Sequence, residues 1–267
     1  MPGRFGRYAL IGFFTLFVAF LYGPTLTIMV LAFQGPDGGL TFPMNGTSLH
    51  WFFNLFQRQA VGDFGGSMRR SLMLGLMVMA TTVVVSVAAG LAFRRRFRGA
   101  GVLFTLTVAS LIVPSILVSL GIGLLFSLAG WDPAWYSSAF GAQLTWTLPF
   151  GLLIMFAVLN RFDKRWEEAA RDLGASSWQT FRFVVLPIIA PGIVGIALFG
   201  FTLSYDEFAR TLLTAGSDNT LPLEIFGMTT NITTPVLYAL GTLTTFLSAV
   251  VIVVALLAVR WLRERRA

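Results

Sequence analysis

The sequence predicts an all-α membrane protein with six transmembrane helices and a cytoplasmic two-helix hairpin. Three observations predict this class. The mean hydropathy is +0.78. Only 12% of the residues are charged, which is half of the roughly 25% expected in a soluble domain. The apolar residues fall in long uncharged runs, as they do in polytopic membrane proteins.

Six stretches are long and apolar enough to cross about 30 Å of hydrocarbon as helices. Each must be helical because backbone polar groups have to be paired internally in lipid. The predicted spans are residues 8–33, 71–93, 102–128, 136–160, 187–208 and 235–261. The first run is too long for a signal peptide and lacks a cleavage site, so we expect an uncleaved span. Residues 1–267 are therefore predicted to form one transmembrane domain.

The basic residues predict the orientation of the chain. With six spans, both termini lie on one side, and that side carries fifteen of the 19 Lys and Arg residues. Because cytoplasmic segments are enriched in Lys and Arg, both termini are predicted to be cytoplasmic. The second and fourth connections are then cytoplasmic as well. In the first outer connection, residues 51–56 are rich in aromatic side chains and predict a short element at the membrane interface.

The fourth connection, residues 161–186, has the pattern of two short amphipathic helices. Its first apolar residues follow helical spacing and predict one face seated on the membrane domain: Phe162, Trp166, Ala169 and Leu173. Gly174 stands at a helix-ending position. The stretch 176–179 resembles a capping box that starts a second helix. Two interpretations stay open on spacing alone: an amphipathic loop lying on the headgroups, or a docking element for a soluble partner.

The residues of this hairpin resemble the EAA loop of ABC importer permeases of type I fold. Glu168-Ala169-Ala170 is followed by Gly174 and then by Leu186-Pro187, between the fourth and fifth of six spans. The resemblance implies that the hairpin docks on an ATPase. The residues expected to couple the two are Glu167, Glu168, Ala169, Ala170, Asp172, Gly174 and Ala175.

The resemblance also implies the partners. They are a dimer of ATP-binding subunits, which would hold ATP and Mg, a second homologous permease, and a periplasmic binding protein, all at a bacterial inner membrane. Residues 201–208 and 220–223 resemble the second permease of polyamine (spermidine/putrescine) importers. That subfamily also handles opines, phosphonates and other small solutes, so a polyamine is the leading expectation and another small solute the alternative.

Catalytic chemistry is not expected on this chain. There is no cysteine and a single histidine, His50, in an outer connection. No cluster has metal-ligand spacing, and no GxxxxGK[ST] loop is present to hold nucleotide. We therefore expect a transport subunit with no catalytic, cofactor or metal residues. The net charge of +7 follows from the cytoplasmic bias of a membrane protein, so nucleic acid is not an expected partner.

The candidate pathway residues lie near the outer end of the fifth span. They are Tyr205, Asp206, Glu207 and Phe208, with Asp132 in the turn between the third and fourth spans. Carboxylates close to hydrocarbon tend to face a cavity or a partner, where they could attract a cationic solute. The alternative is a structural helix end paired with an arginine. A secondary transporter is disfavoured because it needs ionisable residues within its spans. An intramembrane enzyme is disfavoured by the missing nucleophile, base or metal set.

Overall fold

The computed structural model describes residues 4–57, 62–95, 97–231 and 235–264. These residues are almost entirely helical, and one isolated antiparallel bridge joins Gln34 to Thr47. The helices are α1 (Arg4–Leu31), α2 (His50–Asn54), α3 (Phe64–Phe93), α4 (Ala100–Ala109), α5 (Ser115–Leu128), α6 (Phe140–Leu159), α7 (Arg165–Asp172), α8 (Ser177–Thr180), α9 (Leu186–Tyr205), α10 (Leu221–Asn231) and α11 (Val236–Glu264). Two π-helical turns, Trp135–Ala139 and Phe181–Val185, lead into α6 and α9.

The chain divides into two compact units, and the smaller contains Met1–Phe64 and Ile225–Ala249. Its first connection is ordered around Gln34, which is fully buried. The Gln34 side chain donates to the Gly39 carbonyl at 3.0 Å and accepts from the Asn45 N–H at 2.9 Å. The Tyr238 hydroxyl donates to the Leu40 carbonyl at 3.2 Å, so α11 is tied to the same loop. The short element predicted near residues 51–56 is present as the helix α2, and its location at the membrane interface stays a prediction.

The larger unit contains Gly65–Glu224 and Val250–Ala267. Its core lies where α6 packs on α9, around a cluster of Met155, Leu159, Phe162, Val185, Ile189 and Ile196. The helices approach closely at Gly151, where an added Cβ would lie 2.3 Å from the Ser86 hydroxyl. A hydrogen bond of 3.0 Å between the Thr82 and Thr147 hydroxyls joins α3 to α6. Small residues and hydroxyl pairs of this kind are typical of helix packing in membranes.

Among the described residues, five helices are long and apolar enough to span a membrane: Gly6–Leu31, Phe64–Phe93, Trp135–Leu159, Ser177–Tyr205 and Val236–Val254. They correspond to the predicted first, second, fourth, fifth and sixth spans. The prediction of one helix over residues 102–128 is wrong, because α4 and α5 are separated at 110–114. Pro114 disfavours helical backbone at the residue before it and cannot donate its own N–H. That residues 1–267 form a single domain stays a prediction.

The fifth span also differs from the prediction at both ends. The span was predicted to begin at Pro187, directly after a hairpin that ends at residue 186. Instead α8, the π-helical turn and α9 form one continuous helix from Ser177 to Tyr205. The widened π turn just before Pro187 accommodates the proline's missing N–H within a helix. The helix ends at Tyr205 rather than at residue 208, so Asp206, Glu207 and Phe208 lie outside it.

Candidate functional site

The turn between α7 and α8 is a Schellman motif around Gly174. The Gly174 N–H donates to the Arg171 carbonyl at 2.8 Å, and the Ala175 N–H donates to the Ala170 carbonyl at 3.0 Å. These are the two hydrogen bonds of a Schellman motif. The motif requires left-handed backbone angles at the residue that follows the helix cap. Gly174 supplies it with φ of +84°. The predicted helix stop at Gly174 is therefore confirmed.

The start of α8 is fixed by a capping box. The Gln179 N–H donates to the Ser176 hydroxyl at 3.3 Å, and the Ser176 N–H donates to the Gln179 side-chain oxygen at 2.8 Å. Both bonds satisfy N–H groups that a helix start leaves without partners. The predicted second helix is present, and the Schellman motif and capping box together set the angle between α7 and α8.

The inward face of α7 is held by an ion pair. Arg94, at the end of α3, donates from Nη1 to Glu167 Oε1, and both side chains are mostly buried. The Arg94 guanidinium also lies over the Phe162 ring, 5.0 Å from its centroid. Arg171 approaches the second Glu167 oxygen at 3.9 Å. Glu167, expected to contact the ATPase, therefore anchors α7 to this chain, with Arg94 as a partner that no local pattern indicates.

The apolar residues of α7 and its end face outward, so the prediction of a face seated on the membrane domain is confirmed for Phe162 and wrong for Trp166, Ala169 and Leu173. Leu173 is 89% exposed and Trp166 62% exposed, while Phe162 is buried. At 100° per residue, the Glu167 side chain stands opposite Ala169, so the ion pair turns the apolar residues of α7 away. We call the outward residues the docking surface: Trp166, Glu168, Ala169, Asp172 and Leu173, all exposed. Their mixture of apolar side chains and two carboxylates has no partner among the described residues of this unit.

The chain after α9 continues as a non-helical segment that contacts α5 and α6. We call residues 206–220 the inserted segment. The Ser204 hydroxyl, one residue before the end of α9, donates to the Gln143 side chain. Gln143 lies eight residues into the helix that begins at Trp135, which is about 12 Å from that end of the helix at 1.5 Å per residue. Asp206 and Glu207 directly follow the end of α9, and their location at the outer margin of the span stays a prediction.

Arg210 is the central polar side chain of the inserted segment and is only 2% exposed. It donates to the Thr145 hydroxyl at 3.2 Å and to the Ser115 hydroxyl. Its guanidinium lies 4.8 Å from the centroid of the Trp146 ring. Arg210 thus joins the inserted segment to α6 and to the start of α5, at the point where the third span is broken. A buried cation without partners would be costly. Here two hydroxyl groups accept hydrogen bonds from the guanidinium, and an aromatic face adds a cation–π contact.

Hydroxyl side chains of three helices pair the backbone of the inserted segment. The Leu213 N–H donates to Ser119 at 3.0 Å, and Ser138 donates to the Thr214 carbonyl at 2.7 Å. At its end, the Leu221 N–H donates to Ser71 at 2.8 Å. Packing is close as well, because a Cβ on Gly123 would lie 2.7 Å from the Leu213 carbonyl oxygen. Non-helical backbone is tolerated at membrane depth when protein groups pair it in this way.

The structure separates the candidate pathway residues into accessible and buried ones. Asp206 and Asp132 are exposed, and Phe208 is half-buried. Glu207 is 7% exposed and accepts the Arg210 N–H at 2.7 Å. Tyr205 is buried, with its hydroxyl 3.2 Å from the Met68 sulfur and its ring stacked on Phe201. Asp206 is therefore the one carboxylate at the end of α9 that a solute can reach, whereas Glu207 and Tyr205 stabilise the turn.

This combination of spanning helices, an outward-facing hairpin and an inserted polar segment defines a membrane transport subunit. Residues 82–267 match the family described as binding-protein-dependent transport system inner membrane component, and the chain belongs to that family. It is thus a multi-pass inner-membrane permease subunit of an ABC importer, a transport component rather than an enzyme. The resemblance read from the hairpin residues is confirmed.

Curated relatives and solved structures agree with this assignment. The spermidine/putrescine transport system permease protein PotC of Escherichia coli K12 is 30% identical over 261 residues, covering 96% of this chain and 95% of the relative. The putrescine permease PotI of the same organism is 28% identical, covering 84% and 81%. A bacterial importer of the acidic polysaccharide alginate has a chain of TM-score 0.69 at 16% identity, covering 97% and 96%. A chain of the MetNI methionine transporter has a TM-score of 0.59 at 17% identity, covering 73% and 94%.

Replacing Arg210 with leucine should destabilise the protein. The change removes the donors to Thr145 and Ser115 and leaves buried polar groups unpaired, a loss on the order of 3 kcal/mol. The stability of Arg210→Lys should lie between that of wild type and that of Arg210→Leu, because lysine keeps the charge and loses the planar guanidinium fork. Thermal unfolding in detergent, followed by tryptophan fluorescence, measures the effect. Arg98→Leu, at an exposed position, is the control, and equal unfolding temperatures for Arg210→Leu and Arg98→Leu would contradict the assignment.

Proposed function

We propose that this chain is the permease of a polyamine-type importer and that its hairpin couples ATP hydrolysis on a partner to uptake of a small cationic solute. The observation that carries the coupling is the docking surface, because Trp166 and Leu173 are exposed on a helix whose inward face is already occupied by an ion pair. Burying one such side chain contributes about 1.5–3 kcal/mol. A partner that covers both side chains would gain a stable contact.

The hairpin is built to move as a rigid body. The Schellman motif and the capping box fix the turn, and the Arg94–Glu167 pair ties α7 to α3. From the hairpin, one continuous helix runs from Ser177 to Tyr205, about 43 Å at 1.5 Å per residue. That helix leads directly into the inserted segment. A displacement of the docking surface would therefore be carried to Asp206 without a flexible joint.

The wider assembly follows from the same proposal. Both termini and the hairpin lie in the cytoplasm, as the bias of basic residues supports. Two ATP-binding subunits hold ATP and Mg, so this chain needs no cofactor of its own. A second homologous permease completes the pathway, and a periplasmic binding protein delivers the solute. One structural neighbour, the alginate transporter, was solved in complex with a solute-bound periplasmic protein, which supports this set of partners.

The proposed solute is a small cation such as a polyamine. The relatives PotC and PotI are permeases for spermidine and putrescine, and Asp206 is an exposed carboxylate directly after the end of α9. A carboxylate close to hydrocarbon tends to face a cavity or a partner, where it can attract a cation. Asp132 is a second exposed carboxylate, on the outer turn. The alternative is the same machinery with a different small solute, such as an opine or phosphonate.

Leu173→Asp should uncouple the transporter. A carboxylate in place of the most exposed apolar side chain of the docking surface opposes burial against the ATPase. We expect solute-stimulated ATP hydrolysis to fall at least about tenfold, because losing one buried apolar anchor costs about 1.5–3 kcal/mol. Leu49→Asp, at an exposed leucine of the outer connection, is the matched control and should hydrolyse ATP at the wild-type rate. Normal stimulation in Leu173→Asp would argue against docking through this surface.

Asp206→Asn should weaken uptake of a cationic solute. The change keeps size and hydrogen bonding but removes the charge, so we expect KM to rise about tenfold, as when a charged hydrogen-bond partner is lost. Initial rates of spermidine uptake into proteoliposomes containing the complete transporter measure KM. Asp37→Asn, at an exposed aspartate of the first outer connection, serves as control. An unchanged KM in Asp206→Asn, or a binding protein selective for anions, would remove the cation role.

A further inference from the structure

Two neighbouring cavities lie at the end of the larger unit that carries the hairpin. The basic pocket, of about 360 Å³, is lined by ten residues, of which four are cationic and one is a carboxylate: Arg94, Arg95, Lys164, Arg171 and Glu167. The apolar crevice, of about 610 Å³, is lined mainly by aromatic and small residues, among them Phe93, Gly101, Phe104 and Phe156. Arg94 and Lys164 line both cavities, so two cationic side chains border the apolar crevice as well as the basic pocket.

The charges of the basic pocket are not balanced within it. Four cations face the single carboxylate of Glu167, which is already bound to Arg94 and close to Arg171. Among the described residues, no ion pair involves Arg95 or Lys164. An excess of positive charge in a partly enclosed pocket favours an anion, and a phosphate diester matches Arg and Lys donors well.

The apolar crevice decides which anion fits. A soluble phosphate or nucleotide needs no hydrophobic space beside its charge. Here Phe104 and Phe156 pack at 5.5 Å between ring centroids, and Phe93 lies edge-on to Phe156 at 5.3 Å. The rings form an apolar wall beside Arg94 and Lys164. A charged head next to an apolar cleft at the ends of spanning helices has the chemistry of an acidic phospholipid site.

We propose that the basic pocket and the apolar crevice together bind one acidic phospholipid of the cytoplasmic leaflet, with its phosphate at Arg94 and Lys164 and an acyl chain along Phe104 and Phe156. The proposal rests on the proposed function in taking this end of the chain as the cytoplasmic one. Bound lipid would contact the side chains that hold α7 in place. The site therefore lies directly under the docking surface.

Two substitutions separate the parts of this site. Lys164→Gln removes the cation shared by both cavities, on an exposed side chain. Gly101→Leu fills the crevice and leaves every charge in place, since an added Cβ there meets nothing within 4 Å. Each has a matched control. Arg161→Gln removes an exposed cation near the hairpin that lines neither cavity, and Gly121→Leu adds the same side chain at another open helix position.

The test is equilibrium binding of dioctanoyl phosphatidylglycerol, dioctanoyl phosphatidylcholine and glycerol 1-phosphate to the purified, delipidated transporter, followed by native mass spectrometry. We expect phosphatidylglycerol to bind about tenfold more tightly than phosphatidylcholine. Glycerol 1-phosphate should bind at least about a hundredfold more weakly, because each buried methylene contributes to affinity. Lys164→Gln should weaken phosphatidylglycerol binding about fivefold and Gly101→Leu about tenfold. Both controls should match wild type.

Three results would overturn the proposal. The first is equal binding of phosphatidylglycerol and phosphatidylcholine, which would remove the charge requirement. The second is glycerol 1-phosphate binding as tightly as the lipid, which would indicate a site for a soluble anion. The third is Lys164→Gln and Gly101→Leu binding as their controls do. Because the assay measures lipid and not uptake, a failure of the polyamine assignment in proteoliposomes would leave the binding result intact, and the two outcomes can be told apart.

Discussion

The structure depends on one constraint: peptide groups that leave a helix inside the bilayer must be paired by the protein. In the described chain, two stretches next to apolar helices leave helical geometry, residues 110–114 and the inserted segment. Hydroxyls on three neighbouring helices pair the inserted backbone, and Arg210 bridges the segment to the start of α5. Without these partners each exposed group would cost several kcal/mol in hydrocarbon. The positions of α5, α6 and α9 relative to one another therefore follow from a polar network as much as from apolar packing.

One long helix joins the hairpin to the inserted segment. At one end, the Arg94–Glu167 pair fixes α7 and leaves Trp166 and Leu173 facing outward. At the other, Asp206 is exposed while Glu207 is absorbed by the turn. The helix from Ser177 to Tyr205 connects them. Because helices transmit axial displacement better than loops, this arrangement suits a subunit that receives work from another chain and applies it to a solute path.

Features set by local sequence were predictable, and features set by distant contacts were not. Gly174 and the 176–179 capping box were read correctly because a Schellman turn and a cap depend on adjacent residues. Hydropathy gave five of the spans. It missed the break before Pro114, where the proline itself is a local signal that hydropathy does not read, and it missed the orientation of α7. That orientation is set by Arg94, 73 residues away from Glu167, and periodicity contains no information about such a partner. The different surroundings of Asp206 and Glu207 were hidden for the same reason.

The central claim is that the outward face of α7 docks on the ATPase, and a cysteine-accessibility measurement tests it most directly. The chain contains no cysteine, so a single one can be introduced as Leu173→Cys, with Leu49→Cys as the control. The rate of maleimide labelling is then compared with and without the ATPase subunits. The account predicts that labelling at position 173 slows at least about tenfold in the complex, because water is excluded from the packed centre of an interface, while labelling at position 49 is unchanged. Equal rates at position 173 with and without the ATPase would contradict it.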